Sequence, residues 1–231
     1  TDFDAVLTGA SPLATVTSGS FTSRFSVDAG TDQQIRITVA GSNELLFDSG
    51  ALEIFEQTED LYALVDDFGP DGSQHADVIR TIGSTGSTIL DLSQPASVRI
   101  GNYSEQSTIT ATVGTAVYPD VINQTRSSSQ EAENGSAAFK VTDASDTILE
   151  ETADPVTIRG GAFQSIYTFE NNTTDATSVT RSLIATDSFR LVRDRVLFKF
   201  INGSNEPVDL YVLRSGQDLD EVPPQLDDIG F

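Results

Sequence analysis

The chain has no cysteine, no methionine and no tryptophan in 231 residues, and its one histidine is His75. Without cysteine, disulfide scaffolds, zinc knuckles, iron–sulfur clusters and thiol nucleophiles are excluded. A lone imidazole leaves no partner for a His pair. Basic residues are scarce: 13 Lys and Arg stand against 35 Asp and Glu, a formal charge of −22. Repulsion of that size argues strongly against nucleic acid or an anionic membrane surface as partner. No run approaches the ~18 apolar residues that a membrane span needs, so no membrane insertion is expected. With no methionine even at position 1, the chain is expected to follow removal of an N-terminal segment.

What is present points to a folded protein. An apolar fraction of 38% with 13 Phe can build cores. Only Lys140 and Lys199 are lysine, and Asp, Ser and Thr are abundant. Such a surface repels itself in dilute buffer and is relieved by salt, where the Debye length falls to roughly 3 Å at 1 M. A halophilic or marine source is the leading expectation; an ordinary acidic secreted protein is the alternative. Six asparagines open an Asn-x-Ser/Thr triplet: Asn102, Asn123, Asn134, Asn171, Asn172 and Asn202. These are acceptor patterns for N-glycosylation on an exported protein, and equally good turn formers.

Helical periodicity is nearly absent. Short alternating runs recur between Gly, Asn-Gly, Asp and Pro. Phe21, Phe25 and Val27 fall on one side of a strand expected over Ser20–Asp28. Ile35–Val39, Leu45–Phe47, Ala51–Phe55, Leu61–Val65 and Val196–Ile201 continue the series at sandwich spacing. Period-two patterning puts alternate residues on opposite faces. The expected class is all-β: two tandem immunoglobulin-like antiparallel sandwiches plus C-terminal strands that open a further module.

Internal repetition sets the boundaries. Ile35–Val65 overlays Ala138–Phe169, with Tyr62 and Tyr167 in the same place. Val98-Arg-Ile-Gly-Asn102-Tyr-Ser is echoed by Leu197-Phe-Lys-Phe-Ile-Asn202-Gly-Ser about a hundred residues on. Phe3–Leu7 matches Val208–Leu213, and Gly230-Phe231 matches the Gly19–Phe21 region. The expected division is a first module over 1–95 lacking its opening strand, a second over 96–194, and a strand segment over 195–231 that completes a module in cis or in a neighbouring subunit.

Phe200-Ile-Asn-Gly-Ser204, Val208-Asp-Leu-Tyr-Val212, Val27-Asp-Ala-Gly30, Ile35-Arg-Ile-Thr38, Leu46-Phe-Asp-Ser-Gly50 and Leu61-Tyr-Ala63 resemble the tandem β-sandwich family catalogued as domain of unknown function forty-three ninety-seven. The middle module departs from that pattern at Ile109–Thr112, and Asn123–Gly135 reads as an inserted polar loop. The resemblance implies an extracellular surface or cell-envelope module and carries no catalytic motif.

The chemistry on offer is thin. Asp66, Asp67, Asp71 and Asp77 crowd four carboxylates around a Pro-Asp-Gly turn. Hard oxygens on such a loop suit Ca²⁺; a solvated hairpin turn is the alternative, and no other cofactor is indicated. His75 sits in the same polar loop with no nucleophile elbow. Glu150-Glu151 and Asp227-Asp228 are strand neighbours and point to opposite faces, so neither makes a glycosidase pair. Tyr62, Tyr103, Tyr118, Tyr167 and Tyr211 are either a sugar platform or packing residues. The expectation is a protein that is not an enzyme, with no small-molecule substrate identified: an extracellular structural or cell-surface protein whose partner is itself. An assembly strand carrying Phe198, Phe200, Leu210 and Val212 would join copies head to tail into a filament or surface layer. The alternatives are a piece of a longer array and a secreted adhesin or a Ca²⁺- or glycan-binding module.

Overall fold

A computed structural model describes residues 2–7, 11–68, 74–152, 154–172, 178–187, 199–204, 206–218, 223–224 and 226–229. Among them the regular structure is all strand. The first run is β1 (Asp2–Leu7), β2 (Ala14–Thr17), β3 (Gly30–Val39), β4 (Leu45–Ile54), β5 (Asp60–Phe68), β6 (Gln74–Ile82) and β7 (Thr85–Ile89). There follow β8 (Ala96–Tyr103), β9 (Thr108–Val113), β10 (Ala116–Ile122), β11 (Thr125–Arg126), β12 (Gln130–Ala132) and β13 (Gly135–Ala137). The rest are β14 (Phe139–Asp143), β15 (Ile148–Glu151), β16 (Val156–Ile158), β17 (Phe163–Asn172), β18 (Ser178–Asp187), β19 (Val208–Leu210) and β20 (Leu226–Ile229). No helix among the described residues is long and apolar enough to cross a membrane.

The strands sort into two sandwiches. In the first, a sheet ordered β2-β1-β3-β4 meets one ordered β5-β6-β7. Among the described side chains, Ile35, Phe47 and Val78 are buried in its core, with Ile37, Leu52, Tyr62, Leu64 and Ile89 packed around them. In the second, β10-β9-β14-β15 meets β11-β8-β17-β18, with β12 also on β8. There the alternation expected of a half-buried strand is complete: Ile109, Ala111 and Val113 of β9 point inward, as do Ala96, Val98 and Ile100 of β8. Burial of Tyr118 in the same core pushes its hydroxyl up to about 12.

The two sheets built around β1 and β9 share a plan. β1 lies between β2 and β3, as β9 lies between β10 and β14. Leu7 pairs with Ile35 where Val113 pairs with Phe139, and Ala5 with Ile37 where Ala111 pairs with Val141. That phase sets Ile35 over Phe139. It also corrects the expected match of Tyr62 with Tyr167. Tyr62 packs on the core face of β5, whereas Tyr167 lies on the outer face of its sheet, its ring centre 5.9 Å from that of Tyr103. A one-residue slip reverses which face a side chain occupies, so these two tyrosines are not equivalent.

Two further expectations are corrected. Asn123–Gly135 is not an inserted loop: Thr125 and Arg126 pair with Asn102 and Gly101, and Gln130–Ala132 pair with Val98–Ala96. The stretch therefore seals one edge of β8. Conversely, Ser20–Asp28 forms no strand, and Phe21 is 91% exposed. Its alternating pattern suits a strand, but among the described residues no neighbour offers it a ladder.

Candidate functional site

The second module has a strand with no counterpart in the first among the described residues. β8 runs parallel to β17 from Ser97 against Phe163 to Tyr103 against Phe169, and antiparallel to β11 and β12 on its other side. In the first module β5 takes the place of β17 and pairs with β6 along its whole length. Among the described residues no strand lies at its other edge, where β8 would be. Leu61 on this edge strand is 64% exposed, and Phe21, Phe25 and Val27 of the unpaired 20–28 stretch are exposed as well. A sheet edge left this way presents a row of backbone N–H and C=O groups that a further strand can satisfy.

The end of β8 is a repeated corner. Asn102 is fully buried; its Oδ1 accepts from Ser104 N at 3.1 Å and Ser104 Oγ at 2.8 Å, and its Nδ2 donates to Gln106 O and Val121 O at 3.1 and 3.0 Å. Asn202 repeats this: Oδ1 accepts from Ser204 N and Oγ at 2.9 and 2.7 Å, and Nδ2 donates to Glu206 O at 2.8 Å. Both triplets are thus read by the backbone. Both carboxamides are buried and hydrogen-bonded in the folded chain. Asn123 donates from Nδ2 to Ser104 O, and Asn134, exposed, accepts from Gly160 N. Asn171 and Asn172 lie at the end of β17, and their side chains are outside the described residues.

Of the expected assembly residues, Phe198 lies outside the described residues. Phe200 and Val212 are 42% and 54% exposed, and Leu210 is half-buried in β19, opposite Leu226 of β20. Residues 199–204 rest on the second module. Lys199 Nζ donates to Thr186 O and reaches Asp187 Oδ1 at 3.1 Å. Gly203 lies against the Phe169 ring so closely that a Cβ there would overlap it. Gly230 and Phe231 are outside the described residues.

The aspartate quartet does not converge. Val65 pairs with Asp77 and Asp66 with Ala76, so Asp66 and Asp77 are on opposite faces of the β5–β6 hairpin. Asp66 is exposed and Asp77 buried. Asp71 lies outside the described residues, as do the side chains of Asp67 and His75. Among the described residues no three Asp, Glu or His side chains group as a metal site. The tyrosines also scatter: Tyr118 is in the second core, Tyr62 in the first, and Tyr103 stacks on Phe169 with ring centres 5.9 Å apart.

Two constellations were not legible as sites. Arg80, opposite Tyr62 on β6, donates from Nε and Nη2 to Asp60 Oδ2 at 2.8 and 2.5 Å and from Nη1 to Glu53 O at 2.7 Å. Its guanidinium lies over the Phe55 and Tyr62 rings at 5.3 and 5.7 Å. Burial pushes the Asp60 carboxyl up, but hydrogen bonds from Thr58, Arg80 and Tyr62 outweigh it and hold it below its ordinary value. Burial, with the Asp60 carboxylate behind it, pushes the Tyr62 hydroxyl up to about 12.

The other constellation joins the modules. Asp91, fully buried, accepts on Oδ1 from Asp48 N, Ser93 N and Ser93 Oγ at 2.9, 3.0 and 2.7 Å. Leu92 N donates to Asp48 O and Gly161 N to Gln94 O, at 2.8 and 3.0 Å. The linker is therefore bonded to β4 of one sandwich and to the Gly160-Gly161 turn of the other. A glycine pair is the sequence signal for so close a backbone approach.

No family model matches the chain, and no curated protein matches it. Solved structures do match, among them the C-terminal domain of AlgF from P. aeruginosa, 20% identical, aligned over 41% of this chain and 99% of that one with a TM-score of 0.30. A likeness at that score carries no argument about this chain.

Proposed function

We propose that this protein is a non-enzymatic structural component of the cell exterior whose copies join head to tail. The C-terminal segment of one copy, residues 195–231, completes the first sandwich of the next. What carries the reading is one observation: β17 is flanked by β8, while its counterpart β5 has no strand at the same edge among the described residues. A strand laid there would satisfy the open backbone groups and cover Leu61, Phe21 and Phe25. Because donor and acceptor are different surfaces of one chain, the contact is heterologous, and one that does not close yields a filament. With a formal charge of −22 on each copy, association is expected to need salt that shortens the Debye length to a few ångströms.

Deleting residues 195–231 tests the proposal. In molar salt the full chain is expected to give masses well above that of one copy by light scattering, rising with concentration, while the truncated chain stays at one copy. Multimers that persist without the segment would overturn the reading.

A further inference from the structure

We infer that the strand entering the open edge is residues 196–204 of a second copy, lying parallel to β5 and antiparallel to residues 20–28, in the register that β8 takes between β17 and its β11–β12 flank. This rests on the head-to-tail reading and names which part of the C-terminal segment enters, and in which direction.

The first argument is the spacing of inward residues. β8 buries Ala96, Val98 and Ile100 and ends in the Asn102 corner. Counting back from Asn202 by the same steps gives Val196, Phe198 and Phe200. Phenylalanines replace the smaller Val98 and Ile100. Among the described side chains, Ile35, Phe47 and Val78 are the buried cluster they would join. Phe200 is 42% exposed where Ile100 is 0%. The Asn202 corner is already formed and needs no rearrangement to sit as Asn102 does.

The second argument excludes the rival segment. Val208–Leu213 matches Phe3–Leu7 in sequence, and in the first module that place is filled by β1, between β2 and β3. β19 is also three residues long and paired with β20. Among the described residues, the place of β8 beside β5 holds no strand.

The register follows from two equalities. Ile35 stands over Phe139, and the β5–β6 and β17–β18 hairpins are both joined by five residues, 69–73 and 173–177. Tyr62 therefore stands over Ile166. The pairing of Ile100 with Ile166 then places Phe200 beside Tyr62 of the acceptor, and that of Arg99 with Ser165 places Lys199 beside Leu61. Lys199 and Leu61 are both on the solvent side. The contacts that hold Lys199 on its own second module are exposed, so little opposes its release.

A chain without cysteine makes the test clean. Lys199→Cys and Leu61→Cys variants are mixed in molar salt, oxidised, and resolved by intact mass. Neighbouring strands lie about 4.8 Å apart, within disulfide reach. The expected result is a mixed disulfide of the two variants, with none when Asp209→Cys replaces Lys199→Cys. Both sites are exposed, so thermal melts matching the parent chain confirm folding. A Leu61–Asp209 link without a Leu61–Lys199 link would overturn this inference and leave head-to-tail joining intact. Monomers throughout, with no link of either kind, would overturn both.

Discussion

Gly161→Ala is expected to lower stability by about 2–5 kcal/mol and to split one unfolding transition into two. Gly161 has φ +68°, and a Cβ there would stand 2.5 Å from Asp91 O and 3.0 Å from Asp91 N. The left-handed conformation costs a non-glycine residue roughly 1–2 kcal/mol, and forcing a methyl against fixed backbone adds about 1–3 kcal/mol. The neighbour cannot yield, because Asp91 is itself bonded to Asp48 and Ser93. Gly50 is the instructive contrast. Its φ is +60° and a Cβ would also meet an atom at 2.5 Å, but that atom is the end of the Leu92 side chain, which can turn away. Gly50→Ala should therefore cost about 1–2 kcal/mol, the backbone share alone. Scanning calorimetry of the two variants beside the parent checks both values. An unchanged melt for Gly161→Ala would mean that the linker does not hold the sandwiches together.

Arg80→Ala is expected to destabilise the first sandwich by about 3–5 kcal/mol, the usual cost of stranding one partner of a buried ion pair. Both side chains are over 90% buried, at 9% and 8% exposure. Asp60 would keep its burial and lose its guanidinium. Adding Asp60→Asn should recover part of the loss, since the stranded charge is then gone. The pH dependence has a sign that checks the assignment. In the parent chain Asp60 titrates below its unfolded value of about 3.9, so its contribution is complete above that value and fades as pH falls through the folded one. In Arg80→Ala burial dominates and the carboxyl titrates high, so the deficit should shrink as the medium is acidified through pH 4. Urea melts of both chains between pH 3 and 7 give this difference. A deficit that grows on acidification would contradict the assignment.

Much of the architecture was legible because it rests on period-two alternation and repetition. Ile35 and Ile37 could be placed on one face from spacing alone, whereas Ile109–Thr112 reads in the sequence only as a departure from the family pattern. The hundred-residue echo of Asn102 in Asn202 marks a corner that the structure shows twice. Ser20–Asp28 misled because propensity for strand is realised only where a neighbouring strand exists, and among the described residues no counterpart of β8 lies beside it. Asn123–Gly135 misled in the opposite sense, since polar residues can still supply ladder bonds at a sheet edge. Tyr62 and Tyr167 sit at similar places in the repeat but on opposite faces, because the modules are offset by one residue there and period-two alternation reverses the face. The Asp91 linker and the Asp60–Arg80 pair depend on contacts over 43 and 20 residues, which no local pattern announces.

The central claim is that β5 carries an open backbone edge that a second copy closes, and amide hydrogen exchange along Leu61–Asp67 tests it most directly. In dilute full-length protein, every second amide of this stretch, those turned away from β6, should exchange rapidly. On concentration in molar salt these amides should become protected together, and in the 195–231 deletion they should not. Equal protection of all β5 amides in the dilute, monomeric chain would contradict the account.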